Sequence, residues 1–264
     1  EVSFIADSVC FGFETTITNT STVALGTIDE TLWNLGDASN SILQAEVKNR
    51  YAKAGTYAVN LRQVSNKGCV HDTTINIVVH PNPVADFTFE NECVFNTEQF
   101  INQSTIDFGV MTYAWQLGDD STSVETSPNH IYQTSGLFPV KMIATSDQGC
   151  QDSTVKIIEI YALPLVSAGK DTIVSYGFQQ PLNGLCLNAE TVVWTPGNTV
   201  EDVTVLQTKA RPLVKTEYTL EVTDINGCVN SDNVIIDVDK DYKLLISNVI
   251  TPNGDGENDT WKIF

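Results

Sequence analysis

The chain has 264 residues, which is enough for two or three domains of ordinary size. Its 33 acidic and 14 basic residues give a formal net charge of −19. This balance argues against binding to nucleic acid or to an anionic membrane surface, because both need basic patches. No apolar run approaches the roughly 18–20 residues that a membrane-spanning helix needs.

Strand patterns recur along the whole chain, whereas helical periodicity is almost absent. Runs of four to six residues rich in β-branched side chains lie between turn clusters, for example at 58–61, 75–79, 155–160 and 234–238. This pattern is typical of all-β sandwiches. We therefore predict an all-β chain of tandem immunoglobulin-like β-sandwiches.

An internal repeat is the strongest feature of the sequence. Residues 31–37 match residues 113–119, and several landmarks recur at offsets of 81–83 residues. The matching pairs are Phe4 and Phe87, Cys10 and Cys93, Trp33 and Trp115, Tyr51 and Tyr132, and Cys69 and Cys150. So many landmarks at nearly one offset predict two copies of the same module.

A third, divergent copy follows the first two. Trp194 stands 34 residues before Cys228, close to the 36 and 35 residues that separate the equivalent pairs, but Trp194 runs into Thr195-Pro196-Gly197 without a Gly-Asp pair. The predicted domains are 1–80, 81–162, 163–239 and the start of another at 240–264. Because the linkers are short and mostly contain Pro, we expect a semi-rigid rod.

The first two copies resemble the PKD domain, an immunoglobulin-like β-sandwich. Its usual Trp-x-Phe-Gly-Asp-Gly signature is present as residues 33–37 and 115–119, with Leu for Phe and with Ala38 and Asp120 in place of the last Gly. The resemblance covers residues 1 to about 162. It implies non-catalytic modules of bacterial surface and secreted proteins.

Six cysteines follow the repeat: Cys10, Cys69, Cys93, Cys150, Cys186 and Cys228. Two per copy predict bonds within copies, namely Cys10–Cys69, Cys93–Cys150 and Cys186–Cys228. Bonds between copies would give Cys69–Cys93 and Cys150–Cys186, with two cysteines left over. Six buried free thiols would also fit the sequence, whereas a zinc site lacks the support of a CxxC motif. Disulfides would place the chain in an oxidising compartment.

No catalytic constellation is evident, so we predict no enzyme activity. Motifs such as HExxH, G-x-S-x-G, the P-loop and GxGxxG are absent from the sequence. The three histidines, His71, His80 and His130, are scattered. The acidic pairs Glu90/Glu92 and Asp119/Asp120 could in principle act as acid and base. Solvated charges at strand edges explain them at least as well.

Asp followed by Ser or Thr recurs and resembles the O-glycosylation motif of exported Bacteroidetes proteins. The acceptor hydroxyls would be those of Ser8, Thr73, Ser121, Ser153 and Thr172. The alternative is that Asp-Thr and Asp-Ser are simply common at strand starts in a Thr-rich chain.

The segment 251–261 is an acidic, Gly-containing loop. It resembles the opening of the gliding-motility-associated C-terminal domain, with Ile250 in place of a Phe. The matching residues are Thr251, Pro252, Asn253, Gly254, Asp255, Gly256, Asn258, Asp259 and Trp261. The resemblance implies a type B sorting signal of the type IX secretion system. It implies a Bacteroidetes cell-surface adhesin of the SprB type. Its expected partners are the type IX translocon and outer-membrane components, and a surface glycan or protein is a possible ligand.

The same loop offers alternating oxygen ligands. Asn253, Asp255, Glu257 and Asp259 loosely follow the start of a calcium loop, but the Gly at the sixth position and the Glu at the twelfth are missing. Calcium binding and a pair of Asx turns are both open.

The features together predict a non-catalytic stalk or adhesion region of an exported, extracellular bacterial protein. The chain starts without a leader and ends within a strand pattern, so we expect a part of a longer protein. The alternative is a set of accessory spacer modules of an exported hydrolase whose catalytic domain lies upstream. More repeats ahead of Glu1 would favour the adhesin, and a catalytic motif there would favour the hydrolase.

Overall fold

A computed structural model describes residues 1–43 and 45–240. Their regular structure is 24 β-strands and one short 3₁₀ turn, and the predicted all-β class of tandem immunoglobulin-like sandwiches is confirmed. No helix in this part of the chain is long and apolar enough to cross a membrane. The chain divides into two compact units, Glu1–Ala162 and Leu163–Phe264. The finer division into four domains stays a prediction.

The first copy of the repeat forms two facing sheets. Its strands are β1 (Phe4–Ala6), β2 (Val9–Cys10), β3 (Thr15–Asn19), β4 (Ile28–Asn34), β5 (Asn40–Ser41), β6 (Glu46–Asn49), β7 (Gly55–Ser65) and β8 (Val70–His80). One sheet has the order β1-β3-β6, and the other has the order β2-β8-β7-β4-β5. β2 runs parallel to the end of β8, with Cys10 opposite His80.

The second copy repeats this arrangement. Its strands are β9 (Phe87–Thr88), β10 (Thr97–Gln99), β11 (Ile101–Asn102), β12 (Met111–Gln116), β13 (Thr122–Ser123), β14 (Asn129–Ile131), β15 (Gly136–Ser146) and β16 (Gln151–Ile160). The large sheet has the order β13-β12-β15-β16, and β9-β11 and β10-β14 form small pairs. Cys93 makes an isolated parallel bridge to Tyr161, the counterpart of the Cys10–His80 pair.

The second unit carries the divergent copy. Its elements are β17 (Val166–Ser167), β18 (Thr172–Ser175), β19 (Gln180–Asn183), β20 (Leu185–Cys186), β21 (Ala189–Thr195), a 3₁₀ turn (Gly197–Thr199), β22 (Gln207–Ala210), β23 (Thr216–Asp224) and β24 (Val229–Asp239). The large sheet has the order β18-β24-β23-β21. The 3₁₀ turn stands where the first two copies have a Gly-Asp turn.

One tryptophan sits in the core of each sandwich, because alternate residues of its strand point inward. Trp33 and Trp115 meet Phe4 and Phe87 edge to face, at centroid distances of 5.2 and 5.1 Å. Each indole N–H donates to a backbone carbonyl ten or eleven residues later along the chain. The three sandwiches therefore share the same core tryptophan, and in each of them the indole N–H has a hydrogen-bond acceptor.

Candidate functional site

The most concentrated polar cluster of the second sandwich surrounds the turn after β12. Asp119 accepts the backbone N–H of Ser121 at 3.1 Å and contacts His130 Nε2 at 2.7 Å. Tyr132 donates its hydroxyl to the Leu117 carbonyl at 2.7 Å. Burial opposes the ionisation of Asp119, but the hydrogen bonds from His130 and Ser121 outweigh it and lower the pKa of the carboxyl.

The first sandwich holds the equivalent turn with a different residue. Asn49 takes the place of His130 and donates to Asp37 at 2.8 Å, while Tyr51 donates to the Leu35 carbonyl at 2.9 Å. The Asn49 amide, which does not act as an acid or base, makes the hydrogen bond to the turn aspartate that the His130 imidazole makes in the second sandwich. The Asp119–His130 pair is therefore explained by its role in holding the turn.

The turn glycine is required by close backbone packing. Gly36 has a φ of +81°, and a Cβ added there would lie 2.9 Å from the Ala58 carbonyl oxygen. Gly118, with φ at +90°, faces the backbone of Pro139 in the same way. The signature Gly is therefore a packing requirement rather than a ligand-binding feature.

Glu98 is the functional candidate that sequence reasoning missed. It is 1% exposed, lies on β10 opposite His130, and its Oε2 has no hydrogen-bond partner. Burial raises the pKa of this carboxyl to about 7; the charges of Glu92 and Glu90 push the same way, and backbone hydrogen bonds oppose the rise. Strand alternation in the sequence could have identified Glu98, because residues 98 and 100 of an extended segment point to the same side and Phe100 is a core residue.

A second functional feature is a covalent joint inside the first unit. Cys10 of the first sandwich and Cys150 of the second form a disulfide with a Cα–Cα distance of 5.6 Å. Cys150 follows a tight turn in which Ser146 N–H donates to the Cys150 carbonyl and Cys150 N–H donates to Ser146 Oγ. The bond thus fixes one sandwich to the turn of the next.

The predicted pairing within copies is wrong. Cys10 and Cys150 bond to each other, which excludes Cys10–Cys69 and Cys93–Cys150, and Cys69 and Cys186 are free thiols, which excludes Cys186–Cys228.

The physical reason for the first two exclusions is the length of a strand. Cys10 lies beside His80 at the end of β8, whereas Cys69 precedes Val70 at its start. Eleven residues at about 3.3 Å each separate the two sites by roughly 35 Å, far beyond disulfide reach. The same distance separates Cys93, beside Tyr161, from Cys150 at the start of β16.

A small cleft of about 150 Å³ lies beside this joint. His80 and Pro81 of the linker form one wall. Phe108 and Gly109 of the second sandwich, with the turn residues 146–148, form the other. Its size fits packing between neighbouring modules better than a small-molecule site.

The other predicted site residues are dispersed. His80 lines this cleft, while His71 is exposed on β8. Ser8 and Ser153 are exposed, and Thr73, Ser121 and Thr172 are half-buried; their glycosylation stays a prediction. In the described part of the chain, no three or more His, Cys, Asp or Glu side chains are grouped to hold a metal ion. The sorting-motif residues and the calcium candidates fall at 251–261, outside the described residues.

Comparisons with known proteins identify the second sandwich. Residues 80–160 match the family model of the PKD domain. The Pre-pro-metalloprotease PrtV of Vibrio cholerae serotype O1 is 32% identical over 99 residues, which is 36% of this chain and 10% of that protein. The chain therefore spans about one tenth of the curated relative that it matches.

Two solved structures are similar to parts of this chain. The crystal structure of the PKD1 domain of Vibrio cholerae PrtV is 29% identical, covers 30% of this chain and 96% of its own, and has a TM-score of 0.28. The eight N-terminal Ig domains of Down Syndrome Cell Adhesion Molecule cover 90% of this chain and 36% of their own, with 14% identity and a TM-score of 0.50. The likeness to the Ig domains shows the same class of fold and nothing more.

Proposed function

We propose that the chain is a non-catalytic spacer or stalk region of an exported bacterial protein. The observation that carries the proposal is the Cys10–Cys150 bond, which couples two consecutive sandwiches across their linker. A covalent tie between modules restrains their relative motion, as a spacer needs. Disulfides persist in oxidising compartments, and this supports an extracellular location.

Two finer versions of this role are open. In the first, the sandwiches are accessory modules of an exported hydrolase whose catalytic domain precedes them, and the likeness to the PKD region of Pre-pro-metalloprotease PrtV favours this version. In the second, they are the stalk of a surface adhesin that a type IX system exports. The Thr251–Trp261 motif favours the second.

The non-catalytic role is tested with the chain itself. Asp119 and His130, which could serve in acid–base chemistry, hold a turn that Asp37 and Asn49 hold in the first sandwich. We expect no hydrolysis of casein or of a chromogenic glycoside panel, with or without added Zn²⁺. Turnover that disappears in an Asp119→Asn variant would overturn the proposal.

The two finer versions are separated by the segment encoded ahead of Glu1. A metalloprotease motif such as His-Glu-x-x-His there supports the hydrolase version. A long series of sandwiches supports the adhesin. For the adhesin version, residues 241–264 with their natural continuation should export a fused reporter from a type IX-competent cell. Retention of that reporter inside the cell would remove this version.

A further inference from the structure

The free Cys69 lies in a turn that has the same hydrogen bonds as the turn of the disulfide-bonded Cys150. Ser65 N–H donates to the Cys69 carbonyl at 2.9 Å, Gly68 N–H donates to the Ser65 carbonyl at 2.9 Å, and Cys69 N–H donates to Ser65 Oγ at 3.2 Å. The turn of Ser146 to Cys150 makes the same three bonds at 2.8, 2.9 and 3.1 Å. The two turns differ in that Cys150 is bonded and buried, whereas Cys69 is free and exposed.

The surroundings of the two turns also correspond. Asp147 N–H donates to the Val110 carbonyl at 3.0 Å, and Asn66 N–H donates to the Thr27 carbonyl at 3.0 Å. The preceding glycines, Gly109 and Gly26, have φ values of +102° and +99°. The surface of the first sandwich near Cys69 therefore has the same backbone structure as the surface of the second sandwich that is bonded to the first through Cys150.

An exposed apolar side chain marks the same face. Phe108 lines the cleft against His80 and Pro81 and is 47% exposed. Leu25 precedes Gly26 as Phe108 precedes Gly109, and it is 85% exposed. Leu25 is therefore open to contact a neighbouring sandwich at the position where Phe108 lines the cleft with His80 and Pro81.

We propose that Cys69 forms a disulfide with the early cysteine of a further sandwich of this repeat that precedes Glu1 in the same polypeptide. The Cys10–Cys150 bond sets the direction, from the early cysteine of one sandwich to the turn cysteine of the next. Oxidation joins the two sulfurs and passes two electrons and two protons to a thiol oxidase or disulfide exchange partner of the exporting compartment.

The third sandwich limits the series at its other end. Phe11 N–H donates to the His80 carbonyl just after Cys10, and Tyr176 N–H donates to the Asp239 carbonyl just after Ser175. Ser175 therefore occupies the early position, and the third sandwich offers no cysteine there to a following module. By the direction of the Cys10–Cys150 bond, Cys69 is the position at which a preceding sandwich would be joined to this chain.

The test extends the full chain by one copy. Residues 1–83 are placed directly ahead of Glu1 of residues 1–264, because Phe4 corresponds to Phe87 and the linker length is then preserved. The added copy carries the exposed substitutions Ser8→Thr and Lys67→Arg, which give its peptides distinct masses. We expect a non-reducing peptide map to show added-copy Cys10 bonded to original Cys69, and two free thiols rather than four.

The control places Cys10→Ser in the added copy, which should leave original Cys69 fully open to alkylation. Full alkylation of original Cys69 in the unsubstituted fusion, a bond to a small thiol, or a Cys69–Cys69 bond between two chains would each overturn the proposal. Only preparations with Cys10–Cys150 intact are scored.

If the duplicated sandwich does not fold, residues 84–164 ahead of Glu1 offer Cys93 in the same role with the linker length preserved, and an unbonded Cys69 there overturns the proposal. The inference assumes the oxidising compartment of the proposed function, but a free Cys69 would leave the spacer role standing.

Discussion

At the scale of single residues, Glu98 makes the second sandwich sensitive to pH. Its folded pKa of about 7 exceeds the ordinary value of 4.5, so the folded state holds a proton that the unfolded state releases between these values. Stability is therefore highest below about pH 4.5 with respect to this group and falls as the pH rises through 7. Glu98→Gln should remove this loss and stabilise the second sandwich at pH 8 by on the order of 2 kcal/mol.

Pulse proteolysis of the full chain in urea at pH 5.5 and 8, read out on peptides of the second sandwich, measures this effect. The exposed Glu159→Gln is the matched control and should behave as the parent at both pH values. If Glu98→Gln keeps the full pH dependence of the parent, Glu98 is ionised and solvated in the folded protein.

His130 gives a second residue-scale prediction, because the first sandwich supplies its replacement. His130→Asn should change the free energy of unfolding by less than about 0.5 kcal/mol, since Asn49 bonds the equivalent Asp37. His130→Ala should cost about 1–2 kcal/mol, because it leaves the half-buried Asp119 with one partner fewer. Urea denaturation of the full chain, read out on peptides of the second sandwich, compares the two variants, and equal losses would refute the shared role.

At the scale of elements, the Cys10–Cys150 bond should stabilise the joint more than either sandwich. Each sandwich keeps its own buried core, so Cys10→Ser with Cys150→Ser should leave both folded by near-UV circular dichroism. Thermolysin should cleave the linker near the exposed Val84 roughly tenfold faster or more. Without the disulfide, the two sandwiches can separate locally more often and expose the linker to the protease. Unchanged cleavage would mean that non-covalent packing alone holds the joint.

The elements also show what sequence can and cannot reveal here. The repeat located Trp33 and Trp115 in equivalent cores, because strand alternation and aromatic size are local properties. Disulfide pairing depends on which ends of 11-residue strands come together, and this is a property of neighbouring modules. Counting two cysteines per copy treated each sandwich alone and therefore paired Cys10 with the wrong turn.

The candidate site was only partly predictable for a related reason. Asp119 and His130 were each noticed, but their 2.7 Å contact depends on the turn after β12 folding back toward β14. Glu98 was missed because its neighbours in sequence, Thr97 and Gln99, are exposed and polar. In such a polar segment, only the inward or outward position along the strand separates a buried carboxylate from an exposed one.

At the scale of the whole molecule, the net charge of −19 predicts stabilisation by salt. Acidic residues outnumber basic ones by more than two to one, and the ion pairs among the described residues include Lys48–Glu46 and Lys156–Asp86. Most carboxylates therefore repel one another across the surface, and this repulsion is screened once the Debye length falls to about 10 Å near 0.1 M salt.

The thermal unfolding midpoints should rise by roughly 4–8 °C between 10 and 200 mM NaCl, as expected for a gain of about 1 kcal/mol per sandwich. Scanning calorimetry at pH 7.5 measures the rise. A variant with five exposed carboxylates changed to amides should show a smaller rise, and its changed residues are Glu30, Glu125, Glu159, Glu190 and Glu217. Sucrose of equal osmolarity should not reproduce the salt dependence, because it does not screen charge. Flat midpoints in NaCl would show that the net charge costs this molecule little stability.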